Sequence, residues 1–429
     1  MKKFRKNLVT GMLVTGLTMP MAAMATNGYF AHGYGTKNKG LVGGGVALPQ
    51  DAMIAATNPA GMVYVGERMD LGAAIFSPSP RSYTVTGAAD EGPPAFELEP
   101  GTYESDNDYF LIPHFAYNWM LGSDQSVGVT VYGNGGMNTE YPASAYTSPT
   151  PGAYYAGTAG VNLEQLFINV SYSRKLSAAN AVGVSAILAY QRFEATGLGS
   201  FAPFSSDAAN LSDNGVDTST GFGLKLGWVG EVTSGLKLAA SYQTEMDMSE
   251  FDKYRGLFAE QGDFDIPATW TVGLAWDVTP QNTLTFDVQK IMYSDIASIA
   301  NPLLPNLVAS GLGTNNGAGF GWKDMTIYKL GYQWQTSPEW IWRVGYSHGD
   351  QPIPNSETLF NIIAPAVMED HFTFGFTYNT SKTSEFNFAA MYAPENSVTG
   401  NNPLAGATGQ TIKLEMTQYE VEASWAWKF

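Results

Sequence analysis

From residue 67 to the C-terminus, apolar and polar side chains alternate with a period of two, the pattern of β-strands with two unlike faces. The last stretch, 411–429, is the clearest. Tyr419, Val421, Ala423, Trp425, Trp427 and Phe429 fall on one face, with Gln418, Glu420, Glu422, Ser424 and Lys428 on the other. The alternation recurs at 126–131, 165–173, 221–229, 325–335 and 371–379. In the last of these Phe372, Phe374, Phe376 and Tyr378 oppose His371, Thr373, Gly375, Thr377 and Asn379. Such segments can cross a bilayer as tilted strands of about 9–11 residues. Short polar turns (122–125, 177–180, 233–235, 279–281, 337–339, 381–384) alternate with long connections (78–108, 137–162, 196–219, 294–323, 350–369). Short turns on one side and long loops on the other are the asymmetry of an outer-membrane barrel. The count predicts an all-β fold, a transmembrane antiparallel β-barrel of about 14 strands. Closure leaves no unpaired backbone edge facing lipid. A soluble sandwich, turning the same apolar faces inward, is the alternative.

Composition favours lipid on the apolar faces. Charged residues are 14% and aromatic residues 13% of the chain, against about 25% charged in typical soluble domains. The first 25 residues combine Lys2, Lys3, Arg5 and Lys6, an apolar run at 8–17 and Ala23-Met24-Ala25, the three parts of a secretory signal. Cleavage after Ala25 leaves 18 basic against 39 acidic residues, a net charge of −21. Such a chain repels nucleic acid. The lack of cysteine excludes a disulfide scaffold, a thiolate metal site and a lipid-modified N-terminal cysteine. Nothing after residue 17 approaches the roughly 18 apolar residues of a spanning helix. An exported barrel of this kind is expected in the outer membrane of a Gram-negative bacterium.

Residues 26–66 break the alternation. Nine of them are glycine, including Gly43-Gly44-Gly45. Only 51–56 has the composition of a helix, and Asn58-Pro59 ends it. A stretch without apolar periodicity builds no core of its own, so it must lie against or inside what the strands form. The chain therefore divides into a signal peptide (1–25), a plug or hatch (26–66) and the barrel (67–429). Tyr29, Phe30 and Met53 are apolar enough to line an apolar pocket or to seal the plug.

The long connections are unusually apolar. They carry Phe201 and Phe204, then Phe251, Leu257 and Phe258, then Leu303, Leu304 and Leu307. Two readings are open, and they are compatible: the side chains pack the loops into a cap, or they form a hydrophobic groove where an apolar ligand lands. By strand parity Lys225, Lys329, Arg343, His114 and His371 point into the lumen. Each either pairs with a lumenal carboxylate or meets a polar group of whatever enters the lumen. Lys225 and Lys329, at mid-barrel, are the favoured contacts. Catalysis has little support, with four histidines and no HExxH, phosphate loop or GxSxG. The chain reads as a non-enzyme without cofactor or metal. A general porin, an adhesin, or a lipase or protease using His348 or His371 at the rim are the alternatives of other classes.

The opening TNGYFAHGYG, the segment Lys39-Gly40 with Gly43-Gly44-Gly45-Val46-Ala47, and Asn58-Pro59-Ala60 just before the first strand resemble the outer-membrane long-chain fatty acid transporter family (FadL-type), which includes aromatic-hydrocarbon channels. The likeness covers the mature chain in layout and is detailed mainly in 26–65 and the final strand. It implies a fourteen-stranded barrel with an N-terminal hatch in its lumen. A ligand would land between extracellular loops, pass to a site beside the hatch, and leave sideways at a kink in the third strand. Here that strand reads as 126–136 and ends Tyr132-Gly133-Asn134-Gly135-Gly136. The glycines mark a bulge, or the strand simply ends there. The resemblance implies passive uptake of a long-chain fatty acid, with an alkane or monoaromatic hydrocarbon as second choice. The carrier would be a monomer among outer-membrane lipid and lipopolysaccharide, and its terminal Phe429 resembles the signal read by the barrel-assembly machinery.

Overall fold

The computed structural model describes residues 26–88, 96–142, 152–406 and 409–429, so the signal peptide expected at 1–25 lies outside them. The alternating segments become fourteen antiparallel strands. In chain order they are β1 Arg68–Ser77, β2 Phe110–Met120, β3 Gln125–Asn138, β4 Gly160–Lys175, β5 Asn180–Thr196, β6 Asp217–Thr233, β7 Leu236–Gln243, β8 Thr269–Thr279, β9 Asn282–Ile291, β10 Met325–Gln335, β11 Trp340–Gly349, β12 Asp370–Ser381, β13 Ser384–Asn401 and β14 Thr411–Lys428. Each pairs with the next, and β14 pairs with β1 from Arg68↔Lys428 to Ser77↔Tyr419, closing the ring. Among the described residues no helix is long and apolar enough to cross a membrane.

Parity behaves as the pattern predicts. On β14, Tyr419, Val421 and Trp425 are exposed on the outer face, while Gln418, Glu420 and Glu422 are buried on the inner one. Strand β10 matches the expected 325–335, but others run further, and β13 and β14 each have 18 residues. A bilayer needs only about 9–11, so the surplus stands above it. There the top of β14 pairs with Arg81–Thr86, and that strand pairs with Gly101–Glu104, a hairpin inside the connection read as loop. Tyr83 stacks on Tyr103 at 5.0 Å and meets Tyr141 edge-on at 4.8 Å, which holds this extension together.

The apolar loops fold down as a cap. Phe201, Phe251, Leu257, Phe258, Leu303 and Leu307 are buried, and Phe204 and Leu304 pack half-buried against them. Ring contacts knit the loops: Phe96–Phe201 at 4.5 Å, Phe193–Phe258 at 4.7 Å, Phe258–Phe264 at 4.8 Å and Phe320–Phe360 at 5.1 Å. These side chains pack the loops against one another. Each buried Phe or Leu contributes about 1.5–3 kcal/mol to this packing. The same core continues inward through Trp322 and Tyr293 (5.2 Å apart) to Tyr29 and Phe30, whose rings lie 5.3 and 6.0 Å from that of Tyr293.

Candidate functional site

Residues 26–66 lie against the inward faces of the strands. The segment has two short helical turns, Thr36–Lys39 and Ile54–Thr57, and a 3-10 turn, Pro59–Tyr64. The second starts three residues later than the composition suggests, because the Asp51 carboxylate accepts from Met53 N (3.1 Å) and holds 51–53 as a turn. With so little regular structure, charge does much of the anchoring. Lys39 Nζ lies 2.8 Å from Glu420 and 2.7 Å from Glu422, and Thr36 donates to Glu422 at 2.7 Å. Lys37 pairs with Glu385, which also takes Arg68 (2.7 Å) and Lys428 (2.6 Å). Further round the wall, one oxygen of Asp287 accepts from Gly45 N (2.7 Å) and Val46 N (2.9 Å).

Burial acts first on all these groups, and the neighbours decide the outcome. Burial works against the Lys39 ammonium, but Glu420 and Glu422 hold its pKa above the ordinary value. Burial and the nearby Asp70 push Asp51 up to about 6. Burial, then Lys39, His371 and Lys329, hold His32 well below the ordinary histidine range, so it is neutral. The sequence reading passed over Lys37 and Lys39. The available signal was two lysines in a glycine-rich stretch together with two glutamates, i and i+2, on the inward face of the last strand.

Asn58-Pro59-Ala60 joins the segment to the wall. Asn58 Oδ1 accepts from Ala60 N (3.1 Å), capping the 3-10 turn, while Nδ2 donates to Val46 O (3.0 Å) and to Trp228 O on β6 (3.1 Å). A Cβ on Gly227 of β6 would sit 2.0 Å from Asn58 Oδ1, so that glycine makes room for the contact. Asn58→Ala removes all three bonds, among them those to the buried Val46 carbonyl and the buried Ala60 N–H. It is expected to destabilise local docking by about 2 kcal/mol or more. Amide exchange at 46–60 should then quicken roughly 30-fold while the barrel keeps its heat-resistant mobility. Exchange equal to wild type would remove Asn58 from the anchor.

At the third strand the glycine run is a bulge and not a strand end. Between β3 and β4 the register shifts from Gly133↔Leu166 to Gly135↔Gln165, leaving Asn134 as the extra residue, and β3 continues to Asn138. On its other side, β3 pairs with β2 only from Met120↔Ser126 up to His114↔Tyr132. Above that, Phe110 and Pro113 of β2 pair with β1 alone. The vacated edge of β3 is taken by the N-terminal segment: Ala31 N donates to Asn134 O (2.9 Å) and Gly136 N to Tyr29 O (2.8 Å), around a Phe30↔Gly135 bridge. Tyr34 adds a bond from its hydroxyl to Asn134 Oδ1 (2.7 Å).

The inward lysines are where parity puts them and donate to backbone carbonyls of the segment, with Asp287 as an electrostatic neighbour of Lys329. Lys225 donates to Ala56 O, and Lys329 to His32 O (2.9 Å) and Gly43 O (3.4 Å). Both face a cavity of about 30 Å³ beside the segment, shared with Phe30, Tyr34, Gln243 and Gln289. Gln243 Nε2, Gln289 Oε1 and both ring nitrogens of His32 are buried there without a hydrogen-bond partner. Other residues singled out lie elsewhere. His114 Nδ1 is 3.4 Å from Glu422, the ring of His371 stacks on that of His32 at 6.2 Å, and Arg343 binds Gln50 (2.7 and 3.0 Å) and Thr377 (2.8 Å). Tyr29 and Met53 are buried in the apolar core outside the cavity lining.

The barrel has counterparts among solved structures. The toluene transporter TodX of Pseudomonas putida is 17% identical with a TM-score of 0.66, covering 93% of this chain and 99% of that one. A FadL homologue from Pseudomonas aeruginosa is 15% identical with a TM-score of 0.68, covering 94% and 100%. The Ralstonia pickettii toluene transporter TbuX is 16% identical with a TM-score of 0.62, covering 93% and 99%. At these identities the likeness is one of fold. No curated protein matches the chain. The family model for outer membrane protein transport protein (OMPP1/FadL/TodX) matches residues 17–426. The chain belongs to that family of outer-membrane transport barrels of Gram-negative bacteria.

Proposed function

We propose that this channel takes up long-chain fatty acids passively, with residues 26–66 as its hatch. The observation that carries the reading is the cavity beside the hatch. Two lysines and several unpartnered amide and imidazole atoms meet there, next to Phe30. An ammonium has three donors, so Lys225 and Lys329 keep N–H groups beyond those given to carbonyls. A carboxylate would take them up, whereas a hydrocarbon would leave buried polar groups unsatisfied. The cavity has room for little more than a water, so a ligand enters only as the hatch shifts. Release then follows sideways, between β2 and β3 at Gly133–Gly136, where among the described residues Tyr29–Ala31 covers the strand edge. The path is diffusive, running from the apolar cap through the lumen into the wall.

Hydrocarbon uptake is the second reading, favoured by the apolar cap and by the barrel's likeness to two toluene transporters. The experiment is binding of labelled oleate and toluene to detergent-purified wild type and to Lys225→Met/Lys329→Met. The double variant is expected to bind oleate at least about tenfold more weakly, a loss of one charge-assisted contact or more, with toluene unchanged. Toluene binding without oleate binding in wild type would replace the fatty-acid reading by the second. Steady ion conductance with neither ligand bound would indicate a porin.

A further inference from the structure

We propose that Arg81, at the outer mouth and away from the hatch cavity, is a docking point for the carboxylate of an incoming alkyl acid. This rests on the fatty-acid reading above and adds a selection step before the lumen. Arg81 begins the strand that extends the wall above the bilayer, opposite Met416 of β14. It is 5% exposed. Its Nη2 donates to Ser105 Oγ (2.7 Å) and Asn107 O (3.0 Å), while Nε is buried with no partner. Among the described residues no carboxylate comes within ion-pair distance, in contrast to Arg68 and Lys39, each held by two.

A guanidinium stays charged at any ordinary pH and has five N–H donors. Two are used here, Nε is buried without a partner, and Tyr141 and Asp108 act on the cation only from beyond ion-pair distance, so a closer counter-charge would be favourable. What adjoins it is apolar. A slot of about 20 Å³ is lined, besides Arg81 and Asn138, by Met137, Ile363, Ala364, Pro365, Ala366 and Met416. A cation set in an otherwise greasy slot suits an anion carried on an alkyl chain, and neither a free inorganic anion nor a neutral hydrocarbon matches both parts. The slot, like the hatch cavity, has room for little more than a water, so a head group reaches Arg81 only as the slot opens, and the chain would lie over Met137 and Ile363. Met137 follows Gly136 on β3, so an acid docked here already adjoins the strand edge held by Tyr29–Ala31.

The test compares oleate, methyl oleate (same chain, no charge) and toluene on the full-length protein in detergent. Wild type should bind oleate at least about tenfold more tightly than the ester, the scale of a charge-assisted contact. Arg81→Gln should weaken oleate about tenfold and leave the ester and toluene alone, the remaining preference resting on Lys225 and Lys329, whereas Arg81→Lys should lose less. Met416→Glu, which places a carboxylate opposite Arg81, should weaken oleate to the same degree without exposing a buried charge, and it serves if Arg81→Gln does not fold. Oleate binding by these folded variants equal to wild type would overturn the role of Arg81 and leave the fatty-acid reading standing. An equal loss of all three ligands would also overturn it, as a purely structural effect. Wild type that binds toluene and not oleate would overturn the reading beneath it.

Discussion

Replacing Lys39 with methionine is expected to free residues 26–66 from the lumen while the barrel stays closed. The Lys39 side chain is buried, with Glu420 at 2.8 Å and Glu422 at 2.7 Å. Both carboxylates sit on the inward face of β14, and Glu422 already holds Thr36 at 2.7 Å. Removing the cation leaves two adjacent buried anions without a counter-charge. Breaking a buried pair in this way costs about 3–5 kcal/mol. The barrel can evade that cost only by admitting water, and water enters most easily if the segment leaves. The wall does not depend on Lys39, because its strands are held by continuous ladders of backbone hydrogen bonds closed by β14 on β1. The expected readouts are a rise in bilayer conductance and new proteolytic cleavage within 26–66, with unchanged heat-resistant mobility. A triple variant, Lys39→Met with Glu420→Gln and Glu422→Gln, should restore protection, since it removes the orphaned charges along with the cation. A closed channel and a protected segment in Lys39→Met would mean that the ion pairs do not hold the segment.

What could be read from the sequence follows from which forces are local. Lipid outside and a polar interior impose period two on every strand separately, so parity at Glu420, Glu422, Lys225 and Lys329 was legible one residue at a time. The hairpin of Arg81–Thr86 and Gly101–Glu104 was not, because above the bilayer both faces of a strand meet protein or water and the alternation blurs. Loop composition announced apolar side chains, but whether Phe201 and Phe258 face a ligand or each other depends on loops far apart in the chain. The same limit hid the clamp. Lys39 and Glu422 are both plain in the sequence, yet nothing local sets the depth to which a glycine-rich segment sinks in a barrel. Lys225 taught the reverse lesson: the inward cation was foreseen, but its partner is a backbone carbonyl of the segment, Ala56 O, which no residue pattern encodes. The glycines at 133–136 signalled irregularity, and only the fold shows that Phe30 fills the edge they leave.

That edge gives the second large effect. A single methyl group at Gly135 is expected to lift Tyr29–Ala31 off β3. A Cβ there would stand 1.8 Å from Tyr29 O and 3.0 Å from Phe30 Cα, both of them main-chain atoms that no side-chain rotation can move. Either the strand or the segment must yield. Strand β3 pairs with β4 from Gln125↔Arg174 to Asn138↔Asn162, while the segment is held to β3 by two backbone bonds around one bridge. The segment is the weaker party. Its departure costs those two bonds and part of the packing of Tyr29 and Phe30 against Tyr293, on the order of 3 kcal/mol in all. Amides of Ala31 and Gly136 should then exchange about 100-fold faster in Gly135→Ala. If Tyr29–Ala31 is what seals the gap between β2 and β3, fatty-acid release should also quicken several-fold, because that step no longer waits for the segment to move. Gly122→Ala, in a short turn where the nearest atom to an added Cβ is 3.6 Å away, is the control and should change neither quantity. Faster exchange with unchanged or slower uptake would reject the seal while keeping the contact, and unchanged exchange would reject both.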